Sequence, residues 1–142
     1  MIAVCRKILI SHPVRRLALV FLCLPYLTSG IHKIMDFGAG VAEMSSNGLL
    51  PPAPYAAVTV VIQIGCSILV ITGFLRWLAA LVLAAFTVLA SIIADPFWRP
   101  GDGDYIAMLQ AFSEHLGLVG AWLLVAWYTL HKFKDKGQDD WL

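Results

Sequence analysis

Apolar residues run almost unbroken through four stretches of this chain, approximately Leu17–Met35, Ala53–Leu75, Trp77–Ala94 and Ala111–Leu130, with charged residues gathered around them. A helix rises about 1.5 Å per residue, so roughly 20 apolar residues match a hydrocarbon layer about 30 Å thick. Each stretch is long enough to cross a bilayer once. The pattern predicts an all-α fold, an integral membrane four-helix bundle forming a single transmembrane domain over residues 1–142. Its connecting loops are 36–52 and 95–110, and the turn at Arg76 is too short to hold a domain. No internal repeat or low-complexity tract interrupts this organisation.

Charge orients the bundle. Arg6, Lys7, Arg15 and Arg16 precede the first stretch, Arg76 separates the second from the third, and Lys132, Lys134 and Lys136 follow the fourth. With four crossings these eight fall on one side, leaving Lys33 and Arg99 on the other. The positive-inside bias then places both termini in the cytoplasm and turns loops 36–52 and 95–110 outward. The first stretch runs past signal-peptide length with no Ala-x-Ala-like site, so it reads as a retained span. The lipid bilayer is then the first expected partner.

Composition sharpens the class. The chain is 60% hydrophobic and 13% charged, with a mean hydropathy of +0.81, against about 25% charged residues in an ordinary soluble domain. A net charge of +1 gives no basis for nucleic-acid binding. Cys5, Cys23 and Cys66 form no Cys-x-x-Cys pair and none lies in an outward loop, which argues against a membrane thiol oxidoreductase. Cys23 and Cys66 fall where they would approach each other, and read as small packing residues. His12, His32, His115 and His131 are scattered, so no metal site is expected.

Function must then reside in polar groups held at membrane depth, where they are costly. Ser29 and Lys33 lie one turn apart on the first helix, with His32 about 100° away and Pro25 expected to bend the segment above them. Lys33 has two readings, snorkelling to the outer interface or pairing with a ligand or carboxylate. Gln63 lies about 15 Å into the second span, near the midplane, in a stripe with Thr59 and Ser67. That stripe either orders the bundle by interhelical hydrogen bonds or lines a ligand pocket. Ala80, Ala84, Thr87, Ser91 and Asp95 mark a small-residue face on the third helix, with Asp95 read as an interfacial carboxylate beside Phe97 and Trp98. Glu114 and His115 stand in the fourth span. If that helix starts near Ala111, Glu114 is close to the interface; if it starts near Tyr105, Glu114 is roughly 13 Å along and needs a partner, for which Lys33 is the natural candidate. Ser113, Gly117 and Ala121 form a small-residue stripe suited to packing. These placements predict an outer-half polar pocket of Ser29, His32, Lys33, Gln63, Glu114 and His115, with the Phe37–Leu50 loop as a short interfacial segment able to cover it. No residue is singled out as catalytic.

Arg15-Arg16 before an apolar helix that ends Ser29-Gly30-x-x-Lys33-x-x-Asp36-Phe37, followed by Leu50-Pro51, resembles the DoxX family. The resemblance continues through Gln63, Gly65, Leu69 and Gly73-Phe74-Leu75-Arg76, then Phe112, Glu114-His115-Leu116, Gly117 and Gly120, spanning about Arg15 to Trp127. It implies a small four-helix bundle located in a bacterial inner membrane. The family's name derives from subunits of a thiosulfate:quinone oxidoreductase, and some members are linked to redox-stress membrane complexes. By that analogy the pocket would hold a quinone or dock a partner redox protein. Members often carry a glutamate where this chain has Gln63, and a glutamine cannot exchange a proton near neutral pH.

Three functions follow. The first is a membrane redox subunit, in which His32, Lys33 or Gln63 donates to quinone carbonyls while Glu114 or His115 relays protons. The chain has no haem attachment motif or dinucleotide fingerprint, and His32 and His115 lie too near the surface to ligate a haem between them. A cofactor-bearing partner would then supply electrons. The second, level with it, is a non-catalytic anchoring or assembly subunit, in a complex with another protein or with copies of itself. Small-molecule transport ranks third, because repeats and broken helices are its usual basis.

Overall fold

The computed structural model describes residues 11–98 and 105–135, with side chains described as far as Lys132. Cys5, Arg6, Lys7, Arg99, Lys136 and the side chain of Lys134 lie outside the described residues. Helix α1 spans His12–Met35, α2 Phe37–Ser46, α3 Pro52–Thr72, α4 Arg76–Ala94 and α5 Tyr105–Asp135. Among the described residues α1, α3, α4 and α5 are long and apolar enough to cross a membrane. The all-α, four-span reading therefore holds.

The helix ends differ from the hydropathy pattern for physical reasons. Helix α1 begins at His12, where Pro13 suits a first turn, so Arg15 and Arg16 are helical and not part of a preceding tail. Helix α5 takes the earlier of its two possible starts, Tyr105. Hydropathy marks the apolar stretch, whereas a helix continues until its backbone bonding stops. Helix α3 ends at Thr72, short of Leu75, because Gly73 adopts φ 96°. A Cβ at Gly73 would also stand 2.9 Å from Arg76 Nη2, and Arg76 Nε donates to the Val70 carbonyl at 2.8 Å. Glycine thus closes the α3–α4 turn and lets the arginine fold back over it.

Within α3, residues Val61–Gly65 form a π-helical turn between two α-helical segments. Such a turn accommodates one extra residue and changes the direction of side chains beyond it. The expected Thr59, Gln63 and Ser67 stripe runs through this turn, and both Gln63 and Ser67 face α1. Gln63 faces Ser29 of α1, while Ser67 is fully buried lower down, its carbonyl accepting from the Cys23 thiol at 3.8 Å. Cys23 and Cys66 are both free thiols.

The core lies between α1, α3, α4 and α5, where Cys23, Tyr26, Val70, Ala80, Leu83 and Trp122 are buried together. Its polar centre has a definite hydrogen-bond direction. Trp122 Nε1 donates to Tyr26 Oη at 2.9 Å, and Thr87 Oγ1 donates to the Leu83 carbonyl at 2.7 Å. Each hydroxyl has one proton, so Tyr26 must donate to Thr87 across their short contact. The Tyr26 and Trp122 rings also meet edge to face, centroids 5.8 Å apart. Helix α5 packs through His115, Leu118, Trp122 and Ala126, spaced at three to four residues. The Ser113–Gly117–Ala121 stripe is a quarter-turn or more away: Ser113 and Gly117 are exposed, and Gly117 has open space beside it. The stripe makes no internal seam.

Tyr26→Phe leaves the Trp122 N–H and one Thr87 lone pair without partners, and should cost about 1–3 kcal/mol. A lowered unfolding midpoint in detergent, with the helical content retained, checks this.

Candidate functional site

The residues of one end of the bundle line a half-open cavity of about 470 Å³. Its apolar wall is built from Pro25 and Tyr26 of α1, Val58 and Ile62 of α3, Phe86, Leu89, Ala90 and Ile93 of α4, and Leu118 of α5. One side of it is polar.

Lys33 organises that side. It is 6% exposed, so its ammonium has lost most of its water and requires close partners. Nζ donates to Ser29 Oγ at 3.1 Å, one turn back on the same helix, and lies 2.8 Å from Glu43 Oε2. Gln63 Nε2 donates to the same Ser29 oxygen at 3.2 Å. Glu43, Lys33, Ser29 and Gln63 therefore form one connected chain across α2, α1 and α3. At its end Gln63, also 6% exposed, keeps a buried Oε1 that has no hydrogen-bond partner among the described residues.

Helix α2 delivers Glu43. It forms despite its glycines because Asp36 caps it, accepting from the Ala39 N–H at 2.9 Å. Asn47 Nδ2 and Ser46 Oγ both return to the Glu43 carbonyl, at 3.0 and 2.9 Å. Gly48, at φ 77°, lets the chain reverse, with Leu49 N bonded to Met44 O at 3.0 Å. Gly40 is buried against the Lys33 stem, where a Cβ would lie 3.2 Å from Lys33 Cγ. The bare backbone at Gly40 seats α2 on α1, and Glu43, three residues on, meets the ammonium. A similar close approach occurs at Gly30, where a Cβ would stand 2.8 Å from Ile64 Cδ1. That contact holds the π turn, and with it Gln63, against α1.

On the far wall, His115 Nδ1 of α5 stands 3.0 Å from Asp95 Oδ2 at the end of α4. The two atoms are within ion-pair distance, but their alignment does not make a hydrogen bond. Beyond this pair Phe97, Trp98, Tyr105 and Phe112 pack edge to face, with Phe97 centroids 5.1 to 6.0 Å from the other three. They brace the α4–α5 junction.

Four of the six residues singled out in the sequence, Ser29, Lys33, Gln63 and His115, line the cavity. His32 is exposed and Glu114 is exposed, and neither belongs to the lining. The expected Lys33–Glu114 contact is not formed. Glu114 instead accepts from Gln110 Nε2, one turn away at 3.1 Å, and Glu43 takes its place at Lys33. Glu43 and Asp95 are the two groups whose part in the site the sequence reading missed. The signal for Glu43 was slight: it is a carboxylate in the segment that follows Lys33, one turn after a glycine able to seat its helix.

Helices of bilayer length around a cavity with one polar side define a multi-span membrane protein, whose surroundings are a lipid bilayer. The chain belongs to the DoxX family, whose sequence profile matches residues 16–96, from the first turns of α1 through α4. It is also similar to the inner membrane protein YphA of Escherichia coli (strain K12), 28% identical over 114 residues that cover 80% of this chain and 79% of the relative. No solved structure matches.

The buried ammonium and the half-exposed carboxylate make the pair unequal. Glu43→Gln strands a charge out of water and should cost about 1–3 kcal/mol, whereas Lys33→Met leaves Glu43 free to hydrate and should cost less. Unfolding midpoints of the two variants in the same detergent check the order.

Proposed function

We propose that the protein is a quinone-binding membrane subunit of a redox complex, with the cavity as its binding site. The observation that carries this reading is the pairing of an apolar chamber with a buried cation and amide at one side. A cavity of about 470 Å³ suits the headgroup and first isoprenoid carbons of a lipid-soluble quinone. Lys33 Nζ has three N–H groups, and Ser29 and Glu43 engage two of them. The third is free to donate to a quinone oxygen. On the opposite wall the His115–Asp95 pair is a proton donor and acceptor for the second oxygen. Converting a quinone to its hydroquinone takes two electrons and two protons. In this reading a cofactor-bearing protein partner brings the electrons, and the His115–Asp95 pair exchanges protons with the adjoining aqueous phase.

Orientation follows from charge. Arg15 and Arg16 lie close enough to Arg76 for their charges to act on it, and Lys132 ends the fourth span. The positive-inside bias puts this cluster in the cytoplasm of an inner membrane and the Lys33 end outward.

One observation favours an anchoring role as the second reading. Only 6% of the α5 span window is buried, and Leu116, Leu123, Leu124, Trp127 and Tyr128 present an apolar face to lipid or to another subunit.

Gentle extraction from the native membrane, native mass spectrometry and solvent analysis of bound lipids test the proposal. Wild-type chains should retain quinone, and Lys33→Met should retain roughly 10- to 100-fold less, the factor expected for one buried charged hydrogen bond. A protein partner without any quinone would overturn this reading in favour of anchoring.

A further inference from the structure

Arginines gather without carboxylates at the end of the bundle opposite the cavity. Helix α1 rises from this end and α3 descends to it, in register where the Cys23 thiol meets the Ser67 carbonyl at 3.8 Å. Arg15 and Arg16 lie eight and seven residues before Cys23, and Gly73 six after Ser67. Those counts are roughly 9–12 Å along each helix, so the two arginines and the α3–α4 turn reach the same level. Arg76 opens α4 directly after that turn. Its Nε donates to the Val70 carbonyl at 2.8 Å, and its Nη2 lies over Gly73, which has no Cβ to crowd it. The charges of Arg15 and Arg16 reach the Arg76 guanidinium. Lys132, at the same end, is not among the charges acting on it.

Like charges this close repel, and the described residues offer them no counter-charge. The ion pairs among those residues are Lys33–Glu43 and His115–Asp95, both at the cavity end. Arg15 Nη2 donates to His12 Nδ1 at 3.3 Å, an acceptor without negative charge. Arg15 Nε is sealed inside the protein, so the groups left for a ligand are the terminal nitrogens of Arg15 and Arg76 and the exposed guanidinium of Arg16. Leu17, next to Arg16, and Phe74 and Leu78, on either side of Arg76, are exposed apolar residues, so the cluster borders hydrocarbon. The anions native to that boundary are lipid phosphates, which guanidinium groups bind through paired N–H···O bonds. We infer that Arg15, Arg16 and Arg76 form a site for the phosphate of one anionic phospholipid. A zwitterionic headgroup fits it poorly, because its own ammonium meets three like charges. The site is separate from the cavity and does not depend on the quinone reading.

The test is native mass spectrometry of the full-length protein in detergent, titrated with phosphatidylglycerol and, separately, with phosphatidylcholine of the same acyl chains. The first phosphatidylglycerol should bind roughly 10-fold more tightly than the first phosphatidylcholine. Arg16→Gln should weaken phosphatidylglycerol roughly 5-fold, and Arg15→Gln combined with Arg16→Gln roughly 25-fold, the factors expected for each basic residue at a membrane surface. Lys132→Gln removes the same charge at the same end but outside the cluster, and should change little. Equal wild-type affinities for the two lipids overturn the inference. Equal losses in Lys132→Gln and Arg16→Gln overturn it as well, since they mean diffuse surface charge. Displacement of the lipid by millimolar inorganic phosphate overturns it in favour of a site for the free ion. Arg16 is exposed, so its variant reads binding and not folding.

Discussion

A lysine ammonium withdrawn from water within a bilayer protein is the constraint around which this molecule is arranged. Lys33 is buried, and burial of an unpaired cation is among the most unfavourable states open to a side chain. The fold answers with a carboxylate brought by a helix that does not cross the membrane. Helix α2 exists to hold Glu43 at 2.8 Å: Asp36 starts it, Gly40 seats it and Gly48 ends it. The same ammonium holds Ser29, which holds the amide of Gln63. Removing the cation would leave the short helix, the π turn and the cavity's polar side without a common point of attachment.

A second polar chain, from Trp122 through Tyr26 and Thr87 to the Leu83 carbonyl, runs in the opposite spirit. Every proton in it is assigned, so it has one arrangement. It lies beneath the cavity, and Tyr26 and Thr87 belong to both the core and the cavity wall. The satisfied network thus forms the floor beneath the polar side that Lys33 holds together.

How much of this could be read from the residues depended on the kind of information each part needs. The four spans were legible because apolar length is a local property that the bilayer enforces. Lys33, Gln63 and His115 stood out because charged and amide groups are rare in such stretches. Partners were less legible. Pairing Lys33 with Glu114 followed from shared depth, but depth does not fix angle, and Glu114 points off the packing face of α5. Glu43 was overlooked because it sits in a segment whose glycines argue against a helix, and only its caps and its seat on Lys33 overcome that propensity. The face that carries Gln63 and Ser67 was legible from spacing, whereas the π turn within it could not be anticipated from residue type.

That turn has a consequence for how α3 is used along its length. One residue corresponds to about 100° of rotation in an α-helix, so the extra residue within Val61–Gly65 acts as a phase shift between the two halves of α3. The turn itself presents Gln63 to the cavity, with Thr59 one turn above it, and below it Ser67 and Val70 enter the core. Within a span of 21 residues, one continuous helix thus walls the cavity at one end and packs the core at the other.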